Sequence, residues 1–462
     1  MKDVILISPP ISFFLKELAG DERMCAPLGI LYIAGSLERE GFSVQVIDVK
    51  SLELTIEQII EILRDEKPRV VGISALTSGT RSAVILAKRI KDEFGSNISI
   101  VLGGAHVSAD PEFIQRFPFF DFAILGEGEI TLPKLVKEIL SGREVKGVYP
   151  GEPVLDLDSI PFPARHLVRK DPYSHAGKYI CYLTATRGCP YKCTFCSRPG
   201  ISKKIRFRSP KSVVDEMELM YDDCKGHFGF ICDTFSINME NAYNIAQEII
   251  DRKLKCKWDF NTRADLLNEE LVKKAAEAGC YQILLGVESG SERIRNKVIE
   301  KNVLDRDIFQ AVSLCRKYKI QATLYLMMGF PGETWEDLKK TASFPLRAKA
   351  DLMGCHLTIV LPGAKIYEMA LQERQVPIDF VDQYVRGERG EGFKENWPVY
   401  VPSGLTLNDL RNARKRAYRQ FYFRPGFLLK RFSKISHMKQ LWWELNAAFH
   451  LFFKGKTKTS YS

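Results

Sequence analysis

The sequence predicts an α/β protein: a doubly wound parallel sheet of flavodoxin-like order, then a partial (β/α)6 barrel, then a mainly helical C-terminal segment. Three observations predict it. Two separate series of short, β-branched apolar runs alternate with amphipathic patterns, an aperiodic proline-containing stretch divides them, and the last fifty or so residues turn basic and aromatic. With 462 residues, 45% of them apolar, the chain can bury two or three domain cores, which excludes disorder.

In the first series the strand candidates are Val4 to Ile7, Ser43 to Val49, Val70 to Ala75, Ser99 to Leu102 and Phe122 to Leu125. Runs this uniformly apolar belong to strands covered on both faces, so five parallel strands wrapped by helices are expected. Ligands of such sheets sit at the strand C-termini. The loops there are small and polar: Ser8-Pro9-Pro10, the run Ser74 to Gly79 with Thr77 and Ser78, the run Gly103 to Ser108 with Gly104 and His106, and Gly126-Glu127-Gly128-Glu129. No GxGxxG follows the first strand and no GxxxxGK[ST] occurs, which removes a dinucleotide fingerprint and a P-loop. Taken one at a time, these glycines are also ordinary turn chemistry.

From Val145 to Tyr179 the patterning fails, and the prolines and acids of Leu155 to Pro163 fit an extended linker running over a surface. The second series follows, with strands expected at Cys181 to Thr186, Gly229 to Cys232, Lys257 to Asn261, Gln282 to Val287, Gln321 to Met328 and His356 to Leu361. Six βα units make a partial barrel, whose chemistry belongs at the C-terminal ends of its strands.

Just after the first barrel strand comes Ala185-Thr186-Arg187-Gly188-Cys189-Pro190-Tyr191-Lys192-Cys193-Thr194-Phe195-Cys196. Structural zinc takes four protein ligands, commonly two CxxC pairs, and no second pair lies nearby, so zinc is disfavoured. Three thiolates on one tight loop can hold three irons of a 4Fe-4S cluster and leave the fourth open to a chelating molecule. The other eight cysteines lack ligand spacing and read as buried small hydrophobes, with Cys25, on the loop after the first strand, as a candidate exception.

The CxxxCxxC loop resembles the cluster motif of the radical S-adenosylmethionine superfamily. Later motifs look matched by Cys232-Asp233-Thr234-Phe235, Asn261-Thr262-Arg263-Ala264-Asp265, Gly286-Val287-Glu288-Ser289-Gly290 and Met328-Gly329-Phe330-Pro331-Gly332-Glu333-Thr334. The resemblance implies that Cys189, Cys193 and Cys196 hold the cluster, with Asp233, Arg263, Glu288, Ser289, Gly329 and Gly332 around S-adenosylmethionine. Physically, Arg263 could grip a carboxylate, Glu288 could accept from ribose hydroxyls, and Gly329 to Gly332 could bring backbone close to an adenine edge. An ion pair, a satisfied buried acid and a turn are the competing readings.

About residues 1 to 430 resemble radical S-adenosylmethionine enzymes with an N-terminal cobalamin-binding domain, the group of the anaerobic magnesium-protoporphyrin ester cyclase and the hopanoid methylases. The resemblance implies a cobalamin-binding domain at 1–144, a linker at 145–179, the radical barrel at 180–375 and a helical region at 376–462. It assigns Ser74, Thr77, Ser78, Gly103, Gly104 and Gly126 to Gly128, with Glu127 among them, to the tail and ring of the corrinoid. Pro9-Pro10-Ile11-Ser12-Phe13 stands where some cobalamin domains carry DxHxxG, so cobalt is expected without a histidine from that loop. His106 is expected to be a tail contact or solvated rather than a cobalt ligand.

The formal charge of +10 is local: residues 411 to 462 carry +12, and the remainder is near neutral at −2. A nucleic-acid groove across the body is therefore not expected. Two readings of the C-terminal segment compete, a helical cap over the barrel mouth for residues 400 to 430 and an interfacial surface for 436 to 458, where Trp442, Trp443, Phe449, Phe452 and Phe453 interleave with cations. The chain has no membrane-span run and no disulfide scaffold, so a reducing cytosol is expected, with peripheral contact at the inner face of the membrane. The expected function is a methyl transfer to an unactivated carbon of a hydrophobic, lipid, isoprenoid or tetrapyrrole-like substrate through a 5'-deoxyadenosyl radical, with a reductant such as flavodoxin or ferredoxin. Ring closure of the cyclase type is the runner-up, and a corrinoid-binding sensor the reading from another class.

Overall fold

The computed structural model describes residues 1–13, 25–143, 147–175, 178–197, 204–390 and 397–427. The interfacial segment 436 to 458 lies outside them. Six parallel strands form the N-terminal sheet: β1 (Val4–Ser8), β2 (Val44–Asp48), β3 (Val70–Ser74), β4 (Ser99–Gly103), β5 (Phe122–Leu125) and β6 (Gly147–Pro150). Their order is β2-β1-β3-β4-β5-β6. Alternate side chains feed two cores, with Ile5, Ile7, Val71 and Ile73 on one face and Val4, Leu6, Val70 and Val101 on the other. Helices cover both faces, as the two-sided apolar pattern requires.

The sixth strand corrects the expected five. Gly147–Pro150 lies inside the segment read as linker and pairs in parallel register with Phe122–Leu125. Its residues alternate half-buried and exposed, as on a sheet edge, and the edge tolerates Pro150. The rest of that segment is a packed strap. Val154, Leu157 and Ile160 bury with Tyr32 in a small apolar cluster. Arg165 meets Glu216 Oε1 at 2.6 Å, and Glu216 also holds Arg208 through its other oxygen, all three buried.

The second sheet is the partial barrel, with β7 (Cys181–Leu183), β8 (His227–Phe230), β9 (Lys257–Thr262), β10 (Cys280–Glu288), β11 (Gln321–Met328) and β12 (Leu352–Leu357) in sequential parallel order. Ile283, Leu285, Leu324, Leu326 and Met353 pack with the surrounding helices into its outer core. The last strand lies four residues before the expected His356 to Leu361. The β-branched stretch after it serves another partner: Val360 N–H donates to Pro398 O at 3.1 Å, Tyr400 N–H donates to Thr358 O at 2.9 Å, and Ile359 bridges Val399.

The helix Leu407–Tyr422, within the segment expected as a cap with core aromatics, buries Leu410, Tyr418 and Phe421 in the barrel core, and Leu410 and Tyr400 border Gly329 just beyond the C-terminal end of β11. This helix lies along the helix Trp335–Arg347 and the edge strand β12. Tyr418 Oη accepts from Cys355 N–H at 2.9 Å and donates to Cys355 O at 3.2 Å, and Tyr422 Oη does the same for Met353 at 3.1 and 2.6 Å. Among the described residues no helix is long and apolar enough to cross a membrane.

Candidate functional site

Beyond β7 the chain makes a two-residue antiparallel ladder, Thr186–Arg187 with Arg206–Phe207, and the cysteine loop leaves from it at Gly188. Gly188 has φ +96°, a left-handed conformation suited to glycine, and its N–H donates to Asp233 Oδ2 at 2.9 Å. Asp233 thereby anchors the start of the loop. Cys196 N–H donates to Cys193 O at 3.0 Å, while Thr194 is tied through its N–H to Ile299 O and through its hydroxyl to Val298 O, each at 3.0 Å. All three loop cysteines are half-buried and in no disulfide. Seven of the other eight are buried, and Cys25 is half-buried. Among the described residues no three His, Cys, Asp or Glu side chains converge on one ion position. The three thiols are thus not grouped as a mononuclear site, whereas a polynuclear cluster asks only one thiolate per iron.

Arg263 lies 3.6 Å from the centroid of the Tyr191 ring, between the first two cysteines. Its Nε and Nη2 donate to Asp265 at 3.0 and 2.8 Å, Nη2 also donates to Lys301 O at 2.7 Å, and Nη1 is buried with no partner. That orphaned donor is what an anionic ligand would satisfy. Glu288 stands at the end of β10 with φ +64°, after a register shift between Gly286 and Glu288. Its Oε1 accepts from Lys301 Nζ at 2.8 Å in a buried pair. A Cβ on Gly286 would lie 2.5 Å from that oxygen, so a side chain there would displace the end of Glu288. Burial pushes the Cys193 thiol up, with Lys301 and Arg263 pulling it down.

Two further motif residues have structural duties. Ser289 is fully buried and bonds Thr341 Oγ1 and Ser291 N–H, so it faces protein. Gly329 has φ +102°, and a Cβ there would sit 2.6 Å from Tyr400 O, so protein backbone covers the position expected to meet an adenine edge. Glu333 Oε2 accepts from Gly329 and Phe330 N–H at 2.6 and 3.1 Å, and burial lifts its pKa to about 7. Gly332, φ +64°, has open space on its Cβ side.

At the C-terminal edge of the N-terminal sheet, Ser74, Gly103, Gly104, Gly126 and Gly128 line an apolar crevice together with Ile30, Ile33 and Leu132. The crevice is partly open to solvent. A Cβ on Gly103 would meet nothing within 4 Å, so the missing side chain leaves real space. Four expected contacts do not line it. His106 is buried edge-on against Phe113 with ring centroids 4.7 Å apart, and its Nδ1 lies 3.3 Å from Thr77 Oγ1. It is not solvated and does not line the crevice, because packing against Phe113 holds it beside the opposite core. Ser78 O accepts from Tyr384 Oη at 3.2 Å.

Glu127 turns away from the crevice. Arg206 clasps it through two N–H groups, at 2.8 and 2.6 Å, and Val154 N–H adds a third bond at 2.7 Å. Burial alone would raise this carboxyl, but these donors and Arg187 hold it below the usual carboxylate range. Arg206 and Lys301 have no signal in the sequence beyond the rule that a buried charge needs a partner, while Glu129, Arg187 and Tyr191 fall in the expected loops without a role assigned to them.

The radical SAM superfamily matches residues 183–344 and the B12 binding domain residues 21–136. An uncharacterized methyltransferase of Pyrococcus horikoshii is 30% identical over 92% of this chain and 94% of its own length. The anaerobic magnesium-protoporphyrin IX monomethyl ester cyclase of Rubrivivax gelatinosus is 26% identical over 93% of this chain and 79% of its own. Among solved structures, the cobalamin-dependent S-adenosylmethionine radical enzyme OxsB, with aqua-cobalamin and S-adenosylmethionine bound, superimposes with a TM-score of 0.68. It shares 20% identity, over 98% of this chain and 72% of that one.

Proposed function

The chain belongs to the cobalamin-dependent radical S-adenosylmethionine methyltransferase family, and from that membership we propose that it methylates an unactivated carbon of a hydrophobic small molecule. Its cofactors are a 4Fe-4S cluster, S-adenosylmethionine and cobalamin. When bound, the cluster supplies an electron to S-adenosylmethionine and the corrinoid carries a methyl group. The chain's own tasks are to bind, orient and exclude water. Cys189, Cys193 and Cys196 would hold three irons, Arg263 Nη1 would donate to an anionic group of S-adenosylmethionine, and the Glu288–Lys301 pair would accept from and donate to hydroxyls beside it. Ser74, Gly103, Gly104, Gly126 and Gly128 would take the nucleotide tail of the corrinoid.

The observation that carries this reading is the shared loop Gly126–Glu129, which lines the crevice with its glycines and reaches the base of the cysteine loop with its acids. One loop therefore joins the crevice to the base of the cysteine loop. The test is anaerobic reconstitution with iron, sulfide, cobalamin, a reductant such as flavodoxin and methyl-deuterated S-adenosylmethionine, in the presence of a lipid and tetrapyrrole extract. A product three deuterons heavier is expected. Turnover without label in any product would replace methylation with ring closure.

For residues 436 to 458 we carry forward peripheral binding to anionic membranes, on their composition of cations among aromatics. Sedimentation with anionic liposomes should rise with the anionic fraction, fall with salt and fall on deletion of 436 to 462. Equal binding by the truncated chain would end that reading.

A further inference from the structure

The base of the cysteine loop is held from the other domain. Arg187 and Arg206 are register partners in the two-residue ladder from which the loop leaves, and Gly188 and Cys189 follow Arg187 directly. Both arginines are claimed by the loop after β5: Arg206 by the two-bond clasp of Glu127, and Arg187 by Glu129 at 2.7 Å. Arg206 is 4% exposed and Glu129 5%, and their partners Glu127 and Arg187 are less than one-fifth exposed at the side chain, so these are largely interior contacts. A second wall of the crevice reaches the same point. Tyr32, one residue from Ile33 and two from Ile30 on the helix Leu28–Arg39, lies under the Arg187 guanidinium at 5.0 Å from ring centroid to Cζ, and its hydroxyl accepts from Arg208 at 3.5 Å.

The acids alternate with the glycines that line the crevice: Gly126 and Gly128 face it, while Glu127 and Glu129 face the ladder. A Cβ on Gly128 would lie 3.0 Å from Ile33 Cδ1, so the loop and the helix already touch tightly. Whatever enters the crevice must settle against Gly126, Gly128, Ile30 and Ile33. Any shift there is passed to residues whose side chains hold Arg187 and Arg206, because close-packed contacts and buried ion pairs do not stretch independently.

We propose that Glu127 and Glu129 are positioning residues that couple occupancy of the crevice to the cysteine loop through Arg206 and Arg187. The proposal rests on the assignment of the crevice to the corrinoid and of the three cysteines to the cluster. Coupling between two sites is reciprocal, so each cofactor tightens the other by the same factor, on the order of tenfold for a coupling of ordinary size.

The probe is hydroxocobalamin, titrated by absorbance into the full-length protein in cluster-loaded and chelator-stripped forms. The expected result is a dissociation constant about tenfold lower for the loaded form, and a ratio near one in E127Q. The electron paramagnetic resonance of the reduced cluster should change on cobalamin addition in the wild type and stay unchanged in E127Q. Where E127Q does not retain the cluster, E129Q, which leaves the Arg206 clasp in place, is measured the same way and should show a smaller ratio than the wild type. A wild-type ratio of one, or a ratio and spectral change that survive in the variant, overturns the coupling. Failure of the wild type to retain corrinoid at all would instead overturn the assignment of the crevice.

Discussion

Gly103 and Gly104 are adjacent, and the structure gives substitutions at the two sites opposite outcomes. Gly103 ends β4 beside Ser74, its backbone lies outside the left-handed region, and a Cβ built on it meets no atom within 4 Å. Gly103→Val therefore adds an isopropyl group to open space in the crevice, and a β-branched residue suits a strand end. Folding stability should change by no more than about 0.5 kcal/mol, as for substitutions that break nothing. Bound corrinoid would have to move past the new side chain, and overpacking of this kind costs about 1–3 kcal/mol, or roughly 5–150-fold in the dissociation constant. Gly104 has φ +104°, and a Cβ there would sit 2.6 Å from Ala75 O and 2.9 Å from Ala75 N. Gly104→Ala should lose on the order of 1–3 kcal/mol of stability, since neither the backbone nor β3 can yield. Hydroxocobalamin titration and urea denaturation of both variants separate ligand space from backbone need. Wild-type corrinoid affinity in Gly103→Val would refute the placement of the tail in this crevice.

Other outcomes follow from the same physical accounts. Replacing Cys189, Cys193 or Cys196 with Ala should abolish the cluster absorbance and reductive cleavage of S-adenosylmethionine, and a triple-Ala variant that still cleaves it would remove the basis of the mechanism. Glu216→Ala leaves the buried Arg165 and Arg208 guanidiniums without their shared carboxylate, so the urea midpoint should fall by an amount equivalent to about 3–5 kcal/mol; a change under about 1 kcal/mol would show that water replaces it. Burial lowers the His106 pKa to about 4, below the unfolded value near 6.5, so the unfolded chain binds the extra proton between those values. The stability of the neutral imidazole is present above pH 6.5 and is lost as pH falls toward 4, by about 3 kcal/mol in total. His106→Gln should flatten that part of the stability profile, and an unchanged profile would show that the ring is not buried neutral.

How far the sequence was legible differs by kind of information. Strand positions followed from apolar runs, because burial on both faces leaves little freedom in composition. Gly147–Pro150 escaped because an edge strand with alternating exposure and a terminal proline looks like linker. The three loop cysteines were legible because spacing along one loop is local. Thr77, Ser78, His106 and Glu127 belonged to the right loops but not to the crevice, since the direction of a side chain at a strand end depends on tertiary partners: Phe113 for His106, Arg206 for Glu127. Lys301, the partner of Glu288, comes from a segment with no pattern of its own.

The C-terminal aromatics pack in the barrel core, as expected of a cap whose aromatics are core, and they also do a second thing. A barrel of six strands has an open edge, and that edge presents backbone donors and acceptors at every second residue. Met353 and Cys355 are two such residues, and Tyr422 and Tyr418, four apart on one helix, each offer a hydroxyl that can accept from the N–H and donate to the carbonyl. The helical spacing of about 6 Å for i and i+4 nearly matches the two-residue rise of a strand, about 6.6 Å, so the pairing repeats without strain. Phenylalanine could fill the same volume but could not close the edge, which accounts for tyrosine at both positions and for the helix Leu407–Tyr422 lying along β12.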